Sequence, residues 1–362
     1  MEQKYLLAQQ LLTWTDGSNI QIGLSGEHAR TVSGVDRFMI DFFRSANEAK
    51  TLDKHTHELQ LLSQRDHDIC ASVVDSFVEE GIIRPELADP SSRYNRHDLY
   101  YALAYGDKSE SAQLGNRKVA IIGVGGIGSN VATILCAAGV GELLLVDDDV
   151  VELTNLTRQY LFSEKDVGQK KVDTATRTLQ EKNHNVAIRS LPVQVEDRES
   201  LKEIFDSVDL SIISADSSSK VMDMANSAAL ETGKPFMPAG YQDTVGVVGP
   251  FFVPSNEKST CLTCAQRTVF DNANEDDANE YVSTVAPEYS EVLTSRYQAP
   301  SFGPLNLMVS SIAANEAIGF LLTGESRLMN SRANISLTSI RIELEEYAKD
   351  ANCPDCSRRK AE

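Results

Sequence analysis

Residues 118–128 read KVAIIGVGGIG: an apolar run enters a turn in which Gly123, Gly125, Gly126 and Gly128 stand close together, and the helical pattern SNVATILCAAGVG follows. Strand, glycine turn and helix in that order describe a phosphate loop. Glycine permits the φ angles of the turn, backbone amides face an anion, and the partial positive charge of the helix N-terminus holds phosphate. A second strand, ELLLVDDD, follows, and its first acid, Asp147, sits where a carboxylate accepts ribose hydroxyls in such a unit. By itself the motif specifies a nucleotide and leaves the chemistry open.

A length of 362 residues predicts two units or one elaborated domain, and 41% hydrophobic with 24% charged residues describes a folded chain. No apolar stretch approaches the length of a membrane span. The start MEQKYLLAQQ lacks the basic segment and longer apolar core of a secretion signal, so a cytoplasmic location without a membrane partner is expected. The net charge of -19, from 34 basic and 53 acidic residues, argues against nucleic acid as a partner, while a few local cations still suffice for a nucleotide. Cys70 and Cys136 lie in apolar helical patterns and read as packing residues. Cys261/Cys264 and Cys353/Cys356 form two CxxC pairs, which in a cytoplasmic chain favour a tetrahedral structural zinc site over disulfides.

Residues 1–92 read as a separate, smaller unit. Leu6, Leu7, Leu11 and Leu12 precede a polar stretch holding Gly17, Gly23 and Gly26, which suits a short strand ribbon. VDRFMIDFFRSA presents an apolar helical surface, and DICASVVDSFVEEG is the clearest helix, with Ile69, Val73 and Phe77 recurring every four residues. IIRP then reads as a brief strand. Helices followed by a strand suggest a winged-helix-like fold. With 8 Lys and Arg against 15 Asp and Glu in this unit, a peptide- or protein-docking role is preferred over DNA binding, the alternative being a structural cap.

Residues 93–117 form a linker with aromatic and cationic anchors, in which Leu99, Tyr100, Leu103 and Ala104 mark a helix; periodicity reads Arg93 and Arg96 only as surface cations. From 118 to 362, helix 129–138, strand 142–147, a helix from near Lys170 and the strands IRSLPVQV and VDLSIISAD alternate, followed by the helix SKVMDMANSAALETG. KPFMPAGYQDTVGVVGPFFVP reads as paired strands, PLNLMVSSIAANEAIGFLLTG as a buried helix and SLTSIRIELE as a terminal strand. This alternation predicts a doubly wound, Rossmann-like α/β domain with a mixed sheet, crossed by an acidic stretch at 265–300.

The glycines and Asp147 are compatible with a dinucleotide dehydrogenase, yet Asp147, Asp149, Asn155, Arg158, Gln159, Lys171 and Asp216 hold more phosphate and metal chemistry than hydride transfer requires. Attack by a carboxylate on an α-phosphate needs the nucleotide charge neutralised and the pyrophosphate stabilised as it leaves. Arg158 and Lys171 supply cations, Asp216 is placed to hold magnesium, and Asp147 to accept ribose hydroxyls.

RYNR at 93–96, GVGGIG at 123–128, DDDVVELTNLTRQ at 147–159, GQKKV at 168–172 and SAD at 214–216 together resemble the ThiF, MoeB and ubiquitin-activating superfamily of adenylating enzymes. The resemblance implies ATP and magnesium, formation of an acyl adenylate, and a homodimer in which one subunit lends an arginine to the other's site. Carried over by position, Arg96 is that arginine, Asp147 and Asp149 contact the ribose side, Asn155, Arg158, Gln159 and Lys171 approach the phosphates, and Asp216 binds magnesium. Within this superfamily, SSRYNRHDLYYALAYG, NLTRQYLFSEKDVG, AGYQDTVGVVGPFFVP and the cysteine spacing resemble the MccB-like, microcin-type enzymes of modified-peptide biosynthesis and the related pantocin enzyme. That group implies a precursor peptide activated at a carboxylate or terminal asparagine, with nucleotidyl transfer or cyclisation to follow. It also implies an N-terminal unit that clamps the peptide, and ATP as the nucleotide, with CTP the alternative.

Beyond the two cysteine pairs only Cys70 and Cys136 remain, none falls in the acidic stretch, and no sulfurtransferase unit follows Cys356. These omissions disfavour carrier-linked thioester chemistry and sulfur relay. Adenylation of a small sulfur-carrier protein stays as the second reading, and a noncatalytic, nucleotide-regulated peptide-binding module as the third.

Overall fold

In the computed structural model, which describes residues 2–24, 26–86, 91–106, 109–215, 219–272 and 300–356, the chain divides into two units, Met1–Glu110 and Ser111–Glu362. The N-terminal unit begins with β1 (Tyr5–Leu7), β2 (Thr13–Thr15), β3 (Asn19–Ile22) and β4 (Arg30–Ser33). β2, β3 and β4 form an antiparallel sheet in that order. Its first turn closes because Asp16 Oδ1 accepts the backbone N–H groups of Ser18 and Asn19, each at 2.8 Å. The glycine-rich stretch is therefore the expected strand ribbon.

Three helices follow, α1 (Arg37–Ser45), α2 (Leu52–Ser63) and α3 (His67–Glu79), and then β5 (Ile83–Pro85), which pairs antiparallel with β1. Ile20, Ile22, Phe42, Leu59, Val74 and Ile83 belong to one buried cluster. The buried stripe of α3 is Cys70, Val74 and Phe77, at i, i+4 and i+7, and Ile69 is 49% exposed. The expected stripe through Ile69 is thus corrected: at 100° per residue a strict four-residue repeat drifts off one face, whereas alternating four- and three-residue steps stay on it. α4 (Asn95–Ala104) closes the unit.

The second unit contains α5 (Ser111–Leu114), β6 (Lys118–Ile122), α6 (Gly128–Ala138), β7 (Glu142–Val146), α7 (Lys171–Lys182), β8 (Ala187–Leu191), α8 (Arg198–Asp206) and β9 (Leu210–Ile213). It continues with α9 (Ser219–Thr232), β10 (Phe236–Gln242), β11 (Val245–Val248), α10 (Leu262–Asn272), α11 (Gly303–Thr323), β12 (Ser331–Ser336) and β13 (Arg341–Glu346). One eight-stranded sheet runs β13-β12-β11-β10-β9-β6-β7-β8. Pairing is parallel from β10 to β8 and antiparallel from β10 to β13.

Side chains alternate across a strand, so β6 supplies two layers. Ala120 and Ile122 pack with Leu201 and Phe205 of α8 and with Ala225 and Ala228 of α9. Ile121 faces the start of α6, which in turn meets α11. The doubly wound, mixed sheet is the expected Rossmann-like arrangement.

Two expectations are corrected here. The terminal strand is a hairpin: Leu337–Ile340 turns, with Ile340 at φ +52°, and Ser336 pairs with Arg341. Polar Ser and Thr residues favour that reversal over an unbroken strand. In addition, one helix, α11, is long and apolar enough to cross a membrane by length and composition, although no such stretch was expected. It packs on β10 and β11 with 61% of its most apolar 18-residue window buried, so its apolar character serves the protein core.

Candidate active site at the end of the central strands

β6 is the strand from which the sheet runs outward in both directions, through β9 on one side and β7 on the other. Chain connections diverge at its carboxyl end and leave a crevice there, the place where open α/β sheets bind ligands. The glycine turn occupies this point. Gly123 has φ +90°, and a β-carbon on it would strike the backbone of Ser214 and Ala215 beyond β9. A β-carbon on Gly126 would strike Asn306 Nδ2 of α11. Gly123 requires glycine for both conformation and approach, whereas a side chain at Gly126 would have to displace the Asn306 amide.

Asp147 is joined to this turn. Its Oδ2 accepts the Val124 N–H at 2.6 Å and its Oδ1 accepts the Asp149 N–H at 2.9 Å. Both oxygens retain accepting capacity beyond these bonds.

Asn155 organises the next loop. Glu152 and Asn155 form a reciprocal capping box around a short 3₁₀ turn, Leu153–Thr157, in which the Glu152 N–H donates to Asn155 Oδ1 at 3.1 Å. The turn carries Arg158 and Gln159 back over the glycines: Arg158 Cγ lies beside Gly126 and Gln159 Nε2 beside Gly125. Arg158 Nη1 also donates to Thr154 O at 2.8 Å.

A short two-stranded contact then places Lys171. Val150 bridges Lys170, Val151 N–H donates to Gln169 O, and Lys171 N–H donates to Asp149 O. The result is an ion pair between Lys171 Nζ and Asp149 Oδ2 at 2.7 Å, with the lysine buried and the acid exposed. Gly123, Gly125, Gly126, Gly128, Asp147, Arg158 and Gln159 thus meet at one end of the sheet, with Asn155 supporting the loop and Lys171 paired alongside.

Asp216 and residues 273–299 of the acidic crossover lie outside the described residues. Arg96 belongs to the N-terminal unit, on α4, where it is exposed and shares a shallow pocket with Gln9, Gln10 and Tyr100.

Asn306 and Ser310 were not anticipated. Ser310 Oγ donates to Ile127 O at 3.0 Å, so α11 bears directly on the glycine turn. The available signal was two polar residues one helical turn apart in the apolar first half of the helix, before Ser311, Asn315 and Glu316. Asn306 Oδ1 and Gln159 Oε1 are both buried and have no donor. An unmatched buried acceptor costs about 1–3 kcal/mol. The glycine turn at a helix N-terminus, with Arg158 beside it, has the chemistry that holds a phosphate.

Farther along the chain, Cys261, Cys264, Cys353 and Cys356 converge, with Sγ–Sγ separations of 3.5 to 3.7 Å between hydrogen-bonded pairs. Four thiolates around a tetrahedral metal at Zn–S distances stand about 3.8 Å apart, so the cluster is able to coordinate a metal. Burial pushes the Cys261 thiol far up, which disfavours an unligated thiolate there.

The N-terminal unit has a groove of about 490 Å³ lined by Leu12, Trp14, Ile40, Phe43, Arg44 and Asn47. It runs beside β2, an edge strand of its three-stranded sheet.

The ThiF family model matches residues 98–357. The sulfur carrier protein adenylyltransferase of Thermus thermophilus is 31% identical over 212 residues, covering 58% of this chain and 71% of that protein. The crystal structure of Escherichia coli MccB with ATP superimposes with a TM-score of 0.77 at 25% identity, covering 98% of this chain and 99% of that one. The structure of the microcin C7 biosynthetic enzyme MccB in complex with N-formylated MccA gives a TM-score of 0.78 at 26% identity, with the same coverage.

Proposed function

The chain belongs to the ThiF family, and on that premise we propose that it activates a carboxylate or terminal asparagine of a ribosomally made precursor peptide with ATP, as an adenylating enzyme of modified-peptide antibiotic biosynthesis. One observation carries this reading: a phosphate cradle of the ThiF type stands in a chain whose likeness to MccB, in complexes with ATP and with MccA, extends over nearly the whole length. The sulfur-carrier relative matches a smaller share of the chain, which ranks carrier adenylation second.

The chemistry follows from the residues at the crevice. A carboxylate oxygen of the peptide attacks the α-phosphorus, the bond to the bridging oxygen breaks, and pyrophosphate leaves with its electrons. The glycine turn and the α6 N-terminus hold phosphate on backbone amides. Arg158 and Lys171 spread the developing charge, Asp147 and Asp149 take the ribose side, and Asn155 keeps Arg158 and Gln159 in place. Asp216 is assigned to magnesium and Arg96 to a partner subunit's site. The nucleotide is ATP by default, CTP being the alternative base, since a ribose contact reads neither.

The remaining assignments rest on local observations. The four cysteines suit structural zinc, and a thiol cluster of that kind suits the cytoplasm. Three helices beside an antiparallel sheet suit a winged-helix-like unit that clamps the peptide, in the groove along β2. Ile342 and Leu344 are 54% and 59% exposed, and Ile342 pairs with Ile335, which shares its face with Gly246 under α11. Such an apolar margin suits a second copy of the chain in a homodimer.

Incubating the protein with magnesium, separately ATP or CTP, and a short peptide encoded beside its gene tests the reading by pyrophosphate release and peptide mass. Peptide-dependent pyrophosphate is expected, with either retained nucleotide or loss of water. Pyrophosphate release with a sulfur-carrier protein and with no peptide would transfer the assignment to the second reading.

A further inference from the structure

We propose that Asp149 is the positioning residue for Lys171, holding its ammonium group for the phosphates of the bound nucleotide. The inference rests on the adenylating reading above, and it gives Asp149 a task on the phosphate side in addition to the ribose side.

Lys171 stands in an unfavourable place. Its side chain is only 7% exposed, and it is the first residue of α7, where the helix dipole sets partial positive charge against a cation. Burial takes the ammonium out of water, and a buried charge needs a partner. Among the described residues the only acid paired with it is Asp149, whose Oδ2 lies 2.7 Å from Nζ while the carboxylate is 66% exposed. The main chain sets this meeting. Lys171 N–H donates to Asp149 O at 3.0 Å, and the contacts of Val150 with Lys170 and of Val151 N–H with Gln169 O keep the two segments antiparallel. Backbone pairing thus brings the two residues together, and the ion pair completes the contact.

Asp149 is also tied to the glycine turn. Its N–H donates to Asp147 Oδ1 at 2.9 Å, and Asp147 Oδ2 accepts the Val124 N–H at 2.6 Å. Lys171, Asp149, Asp147 and Val124 therefore form one chain of bonds that ends on the turn after β6. Both Asp147 oxygens are engaged in that chain, which leaves Asp149 to hold the lysine. An ammonium has three donors and Lys171 uses one on Asp149, so the others can reach phosphate without breaking the pair. Removing the Asp149 charge frees the lysine from the chain that fixes it relative to the turn.

The test is a double-mutant cycle on the full-length protein, read by isothermal titration with α,β-methylene-ATP and, separately, with adenosine. Asp149→Asn is introduced into the parent and into Lys171→Gln. For the analogue, the rise in Kd that Asp149→Asn causes is expected to be about 10-fold greater in the parent than in the Lys171→Gln background. For adenosine the two rises are expected to agree within about twofold, because no phosphate is present to report on the lysine. Melting without nucleotide checks that each variant is folded. Asp149→Glu, which keeps the charge and moves it by one methylene, runs the same cycle if the neutral variant fails to fold. Rises for the analogue that agree within about twofold overturn the proposal, as does an equally large coupling for adenosine. Failure of the parent protein to bind the analogue at all overturns the adenylating reading itself.

Discussion

Asp147 Oδ2 accepts the backbone N–H of Val124 at 2.6 Å, so the acid that ends β7 is tied to the glycine turn that ends β6. The acid proposed to accept the ribose hydroxyls and the glycine turn are thus one hydrogen-bonded assembly, and a change in either is felt by both. Asp147→Asn keeps the shape and removes the charge. A hydrogen bond to a carboxylate contributes about 1.5–3 kcal/mol, so ATP binding is expected to weaken by about 10-fold or more, measured by titration calorimetry. Unchanged affinity would remove Asp147 from the nucleotide site.

The cysteine cluster makes a separate prediction. One zinc per chain is expected from elemental analysis of the purified protein. Cys264→Ser, or extraction with a strong chelator, is expected to cost about 4 kcal/mol or more, seen as a melting temperature lower by at least about 8 °C. A metal-free protein with the parent's melting temperature would assign the four thiols to packing alone.

In the N-terminal unit, Leu12→Asp places a charge in the groove beside β2, at a residue already 59% exposed, so the fold is spared. Precursor-peptide affinity is expected to fall about 10-fold or more, while ATP affinity in the same protein stays level. Equal peptide affinity, read by fluorescence anisotropy, would move the docking site elsewhere.

His55 gives this unit a pH dependence. Its ring is fully buried, with Nε2 2.7 Å from Tyr5 O. Desolvation holds its pKa below the usual 6.5, Lys50 adds to the depression, and the Tyr5 carbonyl and Glu58 oppose it. The unfolded chain therefore binds a proton near pH 6.5 that the folded chain refuses until lower pH, so stability falls as pH drops below about 6.5. Urea unfolding of the intact protein between pH 7.5 and about 5, followed through Trp14, is expected to show that fall, and His55→Gln to flatten it. An identical slope in the variant would place the sensitivity in other groups.

The hairpin at the C-terminus and the stripe of α3 show where local pattern stops short. SLTSIRIELE carries enough β-branched residues for one strand, and only the pairing of Ser331–Ser336 with Arg341–Glu346 reveals the turn between them. α11 reads as a buried helix from composition, yet the same composition describes a membrane span, and its packing on β10 and β11 separates the two.

From the sequence alone came the strand, glycine turn and helix at 118–138, the alternation that makes a doubly wound sheet, the paired cysteines and the charged residues of the 147–171 loop. Each of these is legible because its signal is local: backbone conformation, hydrophobic period and ligand spacing are set within a few residues along the chain. Only the tertiary structure brought Asn306 to Gly126, across a sequence distance that no periodicity spans, and showed Asp147 bonded to Val124 and Lys171 paired with Asp149. Such contacts depend on strand order, since β6 lies between β7 and β9 and the segments leaving all three meet at one edge, and strand order follows from how whole faces bury one another.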